Sequence, residues 1–311
     1  MKFDKIPNID IDPFVNNGST EEKEEITKQV RDACEGIGFF TISGHGVSNE
    51  SIEKISSAVK RFFDLSLAEK MKCKAENGSG TGYLPMNAEN LAITLGKDAP
   101  PDLKESFNIN CQEEKNKWPE QLPELRVAFE AYSEEMRNLA VTLMKIFARA
   151  LGVDENYFEK YITPPYTVTR ISNYPKLITK PLLGQLRAAA HTDYGTLTIL
   201  LPDSPGLQVS DGEENWIDVH PPVNSFVINL GDVMERWTNH KWKSTLHRVI
   251  TPSEECNKCR QAIVFFHNPN DNATISCIDT CCIDSLAKYS PELARDLRQS
   301  KSHKSRGVNV K

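Results

Sequence analysis

Two histidines and an aspartate are the residues of this chain best placed to share a metal ion. Within residues 184–201, Arg187, Ala189, His191 and Asp193 occupy alternate positions. In an extended strand alternate side chains point to one face, so one wall would carry a guanidinium, an imidazole and a carboxylate. A His and an Asp one residue apart can take adjacent corners of a single ion, but a third ligand is needed to hold it. His247 is the candidate, because residues 242–250 form a second stretch rich in strand formers. Two imidazoles and one carboxylate on one side of an ion leave the opposite positions open, the ligand set used for oxygen chemistry at non-haem Fe(II). The competing reading is that His191 and Asp193 are hydrogen-bonded structural groups, since so short a pattern recurs by chance.

The rest of the chain reads as a frame for these residues. Residues 6–11 alternate apolar and polar after a proline, as a short edge strand does. Residues 21–34 predict a helix with Thr20 as N-cap and Ile26, Val30 and Ala33 on its apolar face. A buried strand then runs into a glycine-rich turn around His45, which its flanking glycines mark as structural rather than as a ligand. Residues 49–64 and 67–73 read as helices with Ile52, Ile55, Val59, Phe62 and Phe63 as a core stripe. The loop 76–101 is long enough to wall or cover a pocket, or to be a passive surface loop. Residues 122–151 repeat apolar positions at threes and fours up to Gly152, the pattern of one long helix. From Val168 to Phe266 the period changes to two, and the chain reads as successive strands. Helices followed by a run of strands argue for one α+β, mainly β domain: a distorted jelly roll with flanking N-terminal helices. Its regions are an N-terminal helix-and-strand part (1–110), a long helix plus catalytic core (111–290) and a charged C-terminal tail (291–311) expected to be solvated.

The segments His191-Thr192-Asp193-Tyr194-Gly195-Thr196-Leu197-Thr198, Asn229-Leu230-Gly231-Asp232, Trp237-Thr238-Asn239 and Ser244-Thr245-Leu246-His247-Arg248-Val249 carry a specific likeness. The chain resembles the iron- and 2-oxoglutarate-dependent oxygenase superfamily, in particular its isopenicillin N synthase-like group, from about Ile6 to about Leu286. The resemblance implies a double-stranded β-helix (cupin-like) core in which His191, Asp193 and His247 hold Fe(II). It also implies 2-oxoglutarate and O₂ as cosubstrates, with succinate and CO₂ released as a substrate C–H bond is oxidised. Hydroxylation, desaturation and ring closure are all outcomes of that reaction class. Some members close kainoid rings on N-prenylated glutamates, and a pocket with extra arginines would suit such a substrate.

Strand parity identifies further candidates. Arg170, Ser172 and Tyr174 share one face of their segment, and Arg260, Ala262, Val264 and Phe266 share one face of another. An arginine facing an apolar interior needs a partner, because an unpaired buried guanidinium is expensive. The resemblance supplies one: an Arg-x-Ser pair and a Tyr bind the distal carboxylate of 2-oxoglutarate, which assigns Arg260, position 262 and Tyr174 to that cosubstrate. Ala262 stands where Ser is usual, a missing hydroxyl worth about 1–3 kcal/mol if nothing replaces it. That departure keeps open an iron oxidase of the same fold that consumes no 2-oxoacid; a non-catalytic iron or 2-oxoacid binder is the third reading. Arg187 and Arg170, with Phe266, are the candidate substrate contacts, and two arginines suggest a small carboxylate-bearing, amino-acid-derived metabolite. For either arginine alone, an ion pair with an acidic residue is an equal alternative.

Composition narrows the classes. The chain has 311 residues, 37 Lys and Arg against 43 Asp and Glu, and a net charge of -6, with no basic block in its body. That argues against a nucleic-acid partner. No apolar run is long enough to span a bilayer and no secretory signal is visible, so a soluble cytoplasmic protein, monomeric by default, is expected. The eight cysteines are expected as free thiols. Cys256, Cys259, Cys277, Cys281 and Cys282 approach a zinc-site spacing, so structural zinc is the alternative there.

Overall fold

The computed structural model describes residues 5–76, 80–111, 116–253, 257–282 and 286–298. In chain order its strands are β1 (Asn8–Asp10), β2 (Phe39–Ser43), β3 (Gly82–Leu84), β4 (Glu105–Asn110), β5 (Tyr166–Tyr174), β6 (Ala188–His191) and β7 (Leu197–Pro202). They continue as β8 (Leu207–Ser210), β9 (Trp216–Asp218), β10 (Phe226–Leu230), β11 (His247–Val249), β12 (Arg260–Asn268), β13 (Thr274–Ile275) and β14 (Glu292–Leu293). The α-helices are α1 (Asp12–Val15), α2 (Thr20–Gly36), α3 (Asn49–Asp64), α4 (Leu67–Lys72), α5 (Pro123–Ala150) and α6 (Asp232–Trp237).

An eight-stranded sheet, in the order β1-β2-β10-β7-β12-β5-β4-β3, faces a four-stranded sheet, β6-β11-β8-β9, and together they make the jelly roll. Alternation divides the large sheet between two interiors. Phe40, Ile171, Ile199, Ile228, Ile263 and Phe265 turn outward onto the helical layer, where α5 contributes Leu139, Leu143 and Phe147. Phe39, Tyr174, Leu200, Val227 and Ala262 turn inward to the cleft between the sheets. Each of these strands therefore has one face for the core and one for the site.

Helix α2 is capped one residue earlier than its apolar pattern suggests. Its N-cap is Ser19, not Thr20: the Ser19 hydroxyl accepts from the Glu22 amide while the Glu22 carboxylate accepts from the Ser19 amide. Glu three residues beyond Ser19 makes that reciprocal box possible. β4 pairs with both β3 and β5. β1 and β2 lie in the same sheet, so the N-terminal strands supply part of the barrel wall. The run of strands is also interrupted by α6.

The C-terminal stretch departs most from expectation. β14 pairs with β13, Ala294 is buried in the core, and the Arg298 guanidinium lies 3.6 Å from the Tyr166 ring centre. Residues 291–298 are thus docked rather than solvated, because Ala294 and Leu297 give this charged segment an apolar side; 299–311 lie outside the described residues. No helix among the described residues is long and apolar enough to cross a membrane.

Candidate metal centre and cavity

His191 on β6 and His247 on β11 are direct cross-strand partners, with ring centres 4.3 Å apart. Asp193 follows two residues later, and its Oδ1 lies 3.8 Å from His247 Nε2. One ligand atom from each residue lies within 4.8 Å of the others, the one such group found among the described residues. Each ligand is oriented from behind. His191 Nδ1 donates to the Ala189 carbonyl at 2.7 Å and His247 Nδ1 to that of Thr245 at 3.1 Å, which leaves both Nε2 lone pairs toward the shared point. Asp193 Oδ2 accepts from Thr198 Oγ1 and Asn229 Nδ2, both at 2.7 Å, leaving Oδ1 for an ion.

The electrostatics fit a divalent cation. Burial, then the neighbouring His247, pushes the His191 imidazole down to about 3, so it is a neutral ligand over the ordinary pH range. Burial alone would raise the Asp193 carboxyl. The two histidines and the Asn229 and Thr198 hydrogen bonds outweigh it and hold the carboxyl below its usual range. Two imidazoles and one carboxylate on one side of the site suit Fe(II) with open positions opposite.

Asp193 lies past the end of β6, so something other than the sheet must fix it. Helix α6 does: the Asp232 amide donates to the Asp193 carbonyl at 2.9 Å and the Val233 amide to the Gly195 carbonyl at 3.0 Å, while Thr192 Oγ1 donates to Asp232 Oδ2. Gly195 and Gly231 pack backbone to backbone, where a Cβ on Gly231 would overlap the Gly195 carbonyl and one on Gly195 would overlap the Asn268 side chain. These contacts account physically for the Asp-Tyr-Gly-Thr and Asn-Leu-Gly-Asp segments.

A cavity of ≈ 360 Å³ between the sheets contains all three ligands. The sequence-predicted faces of β5 and β12 line it, with Arg170, Ser172 and Tyr174 opposite Arg260, Ala262, Val264 and Phe266. Arg260, 2 % exposed, gives its Nε to the Ser204 and Pro205 carbonyls and passes 5.1 Å from the Tyr174 ring centre, but its Nη1 has no partner. An unmatched guanidinium N–H at this depth is costly, and a ligand carboxylate would match it. The residues present therefore fit 2-oxoglutarate between Arg260 and the metal triad.

Arg187 is placed otherwise. A two-residue step on β11 (His247 to Val249) pairs with a three-residue step on β6 (His191 to Ala188), and this bulge resets the alternation. Ala188 and His191 line the cavity and Arg187 does not. At 4 % exposure its Nη2 donates to the Pro175 and Lys258 carbonyls and its Nε has no partner, but the side chain points away from the cavity, so the single wall of Arg187, His191 and Asp193 does not exist. Arg170 does line the cavity, but its guanidinium pairs with Glu89 through Nη2–Oε1 at 3.1 Å and Nη1–Oε2 at 3.4 Å, the ion pair weighed as its alternative. Glu89 also meets Lys104 at 3.5 Å, and Lys104 meets Asp102 at 3.2 Å. The segment expected as a loop over 76–101 contains β3 and a short helical turn at Leu91–Leu95, and its Glu89 and Leu91 wall the cavity.

Sequence reading missed Glu89, Lys104 and Arg298 as lining residues, and no periodic signal marks them. Asn229 and Thr198 were legible as polar residues on strands of otherwise apolar parity. His45 is structural, held by the Asn224 carbonyl and the Val47 amide. Cys259 contacts Asn173, whereas Cys277 contacts the Arg236 carbonyl and Asn239 and neighbours Cys281 and Cys282, so the thiols are split between two places and, among the described residues, form no group spaced to hold a metal; Cys256 lies outside the described residues.

Comparison with known proteins agrees with this geometry. A family model described as non-haem dioxygenase in morphine synthesis N-terminal matches residues 6–125, and one described as 2OG-Fe(II) oxygenase superfamily matches residues 166–269. The chain is 32% identical to the 2-oxoglutarate-Fe(II) type oxidoreductase hxnY of Emericella nidulans, covering 94% of this chain and 87% of that one. It is likewise 32% identical to a homoarginine-6-hydroxylase of Glycine max, over 89% of each. Among solved structures, a full-length Neurospora crassa protein in complex with alpha-KG superimposes with a TM-score of 0.86 at 29% identity over 95% of both chains. With the metal triad, the matched cavity and these relatives together, the chain belongs to the 2OG-Fe(II) oxygenase superfamily and is an Fe(II)- and 2-oxoglutarate-dependent dioxygenase.

Proposed function

We propose that this dioxygenase oxidises a C–H bond of a small, carboxylate-bearing, amino-acid-derived metabolite. The observation that carries the reading is the charge of the lining beyond the Asp193 and Arg260 positions, where Lys104, Arg170 and Arg298 accompany one carboxylate, Glu89. Arg170 is already paired with Glu89 and Arg298 with Asp271 at 2.8 Å, so a ligand carboxylate would be received by joining these pairs, and a ligand ammonium or hydroxyl by donating to Glu89. An amino acid carries both kinds of group. The homoarginine-6-hydroxylase relative, named for an amino acid, supports the same class. Arg187 drops out of the proposed contacts, and with it the argument from two free arginines for a kainoid-type, multi-carboxylate substrate.

When bound, Fe(II) and 2-oxoglutarate supply the oxidising power, with O₂ consumed and succinate and CO₂ released. The chain's own residues hold and orient. His191, Asp193 and His247 fix the metal on one side, and Arg260, Tyr174 and the small Ala262 receive the distal carboxylate. Val264 and Phe266 form an apolar floor that excludes water from the reacting C–H bond. The polar wall of Glu89, Arg170 and Arg298 sets which carbon of the substrate faces the metal, so the outcome of the reaction is a matter of positioning.

A screen of amino acids and their N-substituted derivatives for coupled succinate release tests this reading. A hit whose KM rises about tenfold or more in Arg170→Leu, the loss of one charge-assisted contact, supports it. Coupling to neutral heterocycles alone would overturn the substrate class while leaving the enzyme class standing.

A further inference from the structure

We infer that Ser172 supplies the hydroxyl that Ala262 lacks, so that the distal carboxylate of 2-oxoglutarate is held from β5 rather than from β12. This rests on the proposed seat of that carboxylate at Arg260. In the β12–β5 pairing Arg260 lies opposite Tyr174, and Ala262 lies opposite Ser172. All four line the cavity. Ser172 is 2 % exposed, and what it faces is the cavity. Its neighbours along the strand are otherwise engaged: Asn173 faces away to bond Glu105, and Arg170 is paired with Glu89.

Cross-strand partners on one face have Cβ atoms about 4.5–5.5 Å apart. A carboxylate seated over the 262/172 pair is therefore within reach of a hydroxyl on either residue. Such a group offers about four acceptor sites, of which the Arg260 fork takes two, so an acceptor remains for a serine hydroxyl. Ala262 keeps the β12 side shallow, which lets the carboxylate settle toward β5. The hydroxyl has moved across the ladder, and the chemistry of the seat is kept.

The test separates the two ends of the cosubstrate. Each variant is loaded with Fe(II) without oxygen and titrated with 2-oxoglutarate or with 2-oxobutyrate, which keeps the chelating end but lacks the distal carboxylate; the visible charge-transfer absorbance reports binding. Ser172→Ala should weaken 2-oxoglutarate about tenfold, the loss of one charge-assisted hydrogen bond, and leave 2-oxobutyrate unchanged. Adding Ala262→Ser to that variant should restore most of the loss. Equal weakening of both acids, or no weakening of 2-oxoglutarate, overturns the inference. Arg260→Leu is the control for the seat itself: if it spares 2-oxoglutarate, the Arg260 assignment fails and not merely the role of Ser172. Should Ser172→Ala not fold, Ser172→Cys keeps the volume with a weaker donor and is expected to show the same selective loss.

Discussion

Asn229 donates its Nδ2 hydrogen to Asp193 Oδ2 over 2.7 Å, and the same oxygen takes a second bond from Thr198. One carboxylate oxygen is thereby occupied, and the other is left toward the two histidines. Removing Asn229 frees the carboxylate to rotate and takes away part of what keeps it ionised. Asn229→Ala is expected to lower Fe(II) affinity by about 10–100-fold. Metal content after equilibrium dialysis measures this, and unchanged affinity would mean that Asp193 is positioned by the α6 contacts alone.

Gly231 caps α6 against the backbone of Gly195, with no room for a methyl group. Gly231→Ala must push the 192–196 loop away from the helix that anchors it. The expected cost is about 1–3 kcal/mol of stability together with weakened metal binding. Denaturant unfolding with and without Fe(II) checks both; a destabilised variant of normal metal affinity would separate the loop from the site.

His267 is 1 % exposed with neither ring nitrogen partnered, and burial pushes it down to about 4. The unfolded chain takes up a proton near pH 6.5 that the folded imidazole refuses until about 4. Stability therefore falls as pH drops from about 6.5 toward 4 and is insensitive to this group outside that window; at about pH 5 the loss is about 2 kcal/mol. His267→Phe, beside Phe265, should flatten the change in unfolding free energy between about pH 7 and about pH 5 relative to wild type. Parallel curves would assign the acid sensitivity to other groups.

Arg187 and Arg170 should respond differently to the same change. Arg187→Leu leaves the Pro175 and Lys258 carbonyls without their donor and is expected to cost about 1–3 kcal/mol in stability with little effect on KM. Arg170→Leu, in the cavity lining, should raise the substrate KM. Thermal unfolding and steady-state kinetics on both variants separate these effects, and a KM effect at Arg187 without destabilisation would return it to the substrate contacts.

Much of this was legible in the sequence because strand parity is a local property. The inward sets on β5 and β12, and the polar Asn229 amid apolar neighbours on β10, follow from counting by twos. Arg187 was misplaced because the bulge on β6 belongs to its pairing with β11, a strand far along the chain, where His247 meets His191 but Val249 meets Ala188. No local pattern encodes that mismatch. Glu89, Lys104 and Arg298 reach the cavity through tertiary packing of a loop, a strand approach and the C-terminal segment. The docking of residues 291–298 rests on Ala294 and Leu297, too few apolar positions to outweigh a charged composition in a sequence reading.

Every role assigned to the cavity depends on His191, Asp193 and His247 holding one Fe(II) to which 2-oxoglutarate binds. Anaerobic titration of the protein with Fe(II) in excess 2-oxoglutarate, followed by visible absorbance, addresses that dependence without needing the substrate. A charge-transfer band that saturates at a single equivalent of Fe(II) per chain and is absent in His247→Ala is the expected result. A band of equal strength in His247→Ala, or none in the wild-type protein, would contradict it.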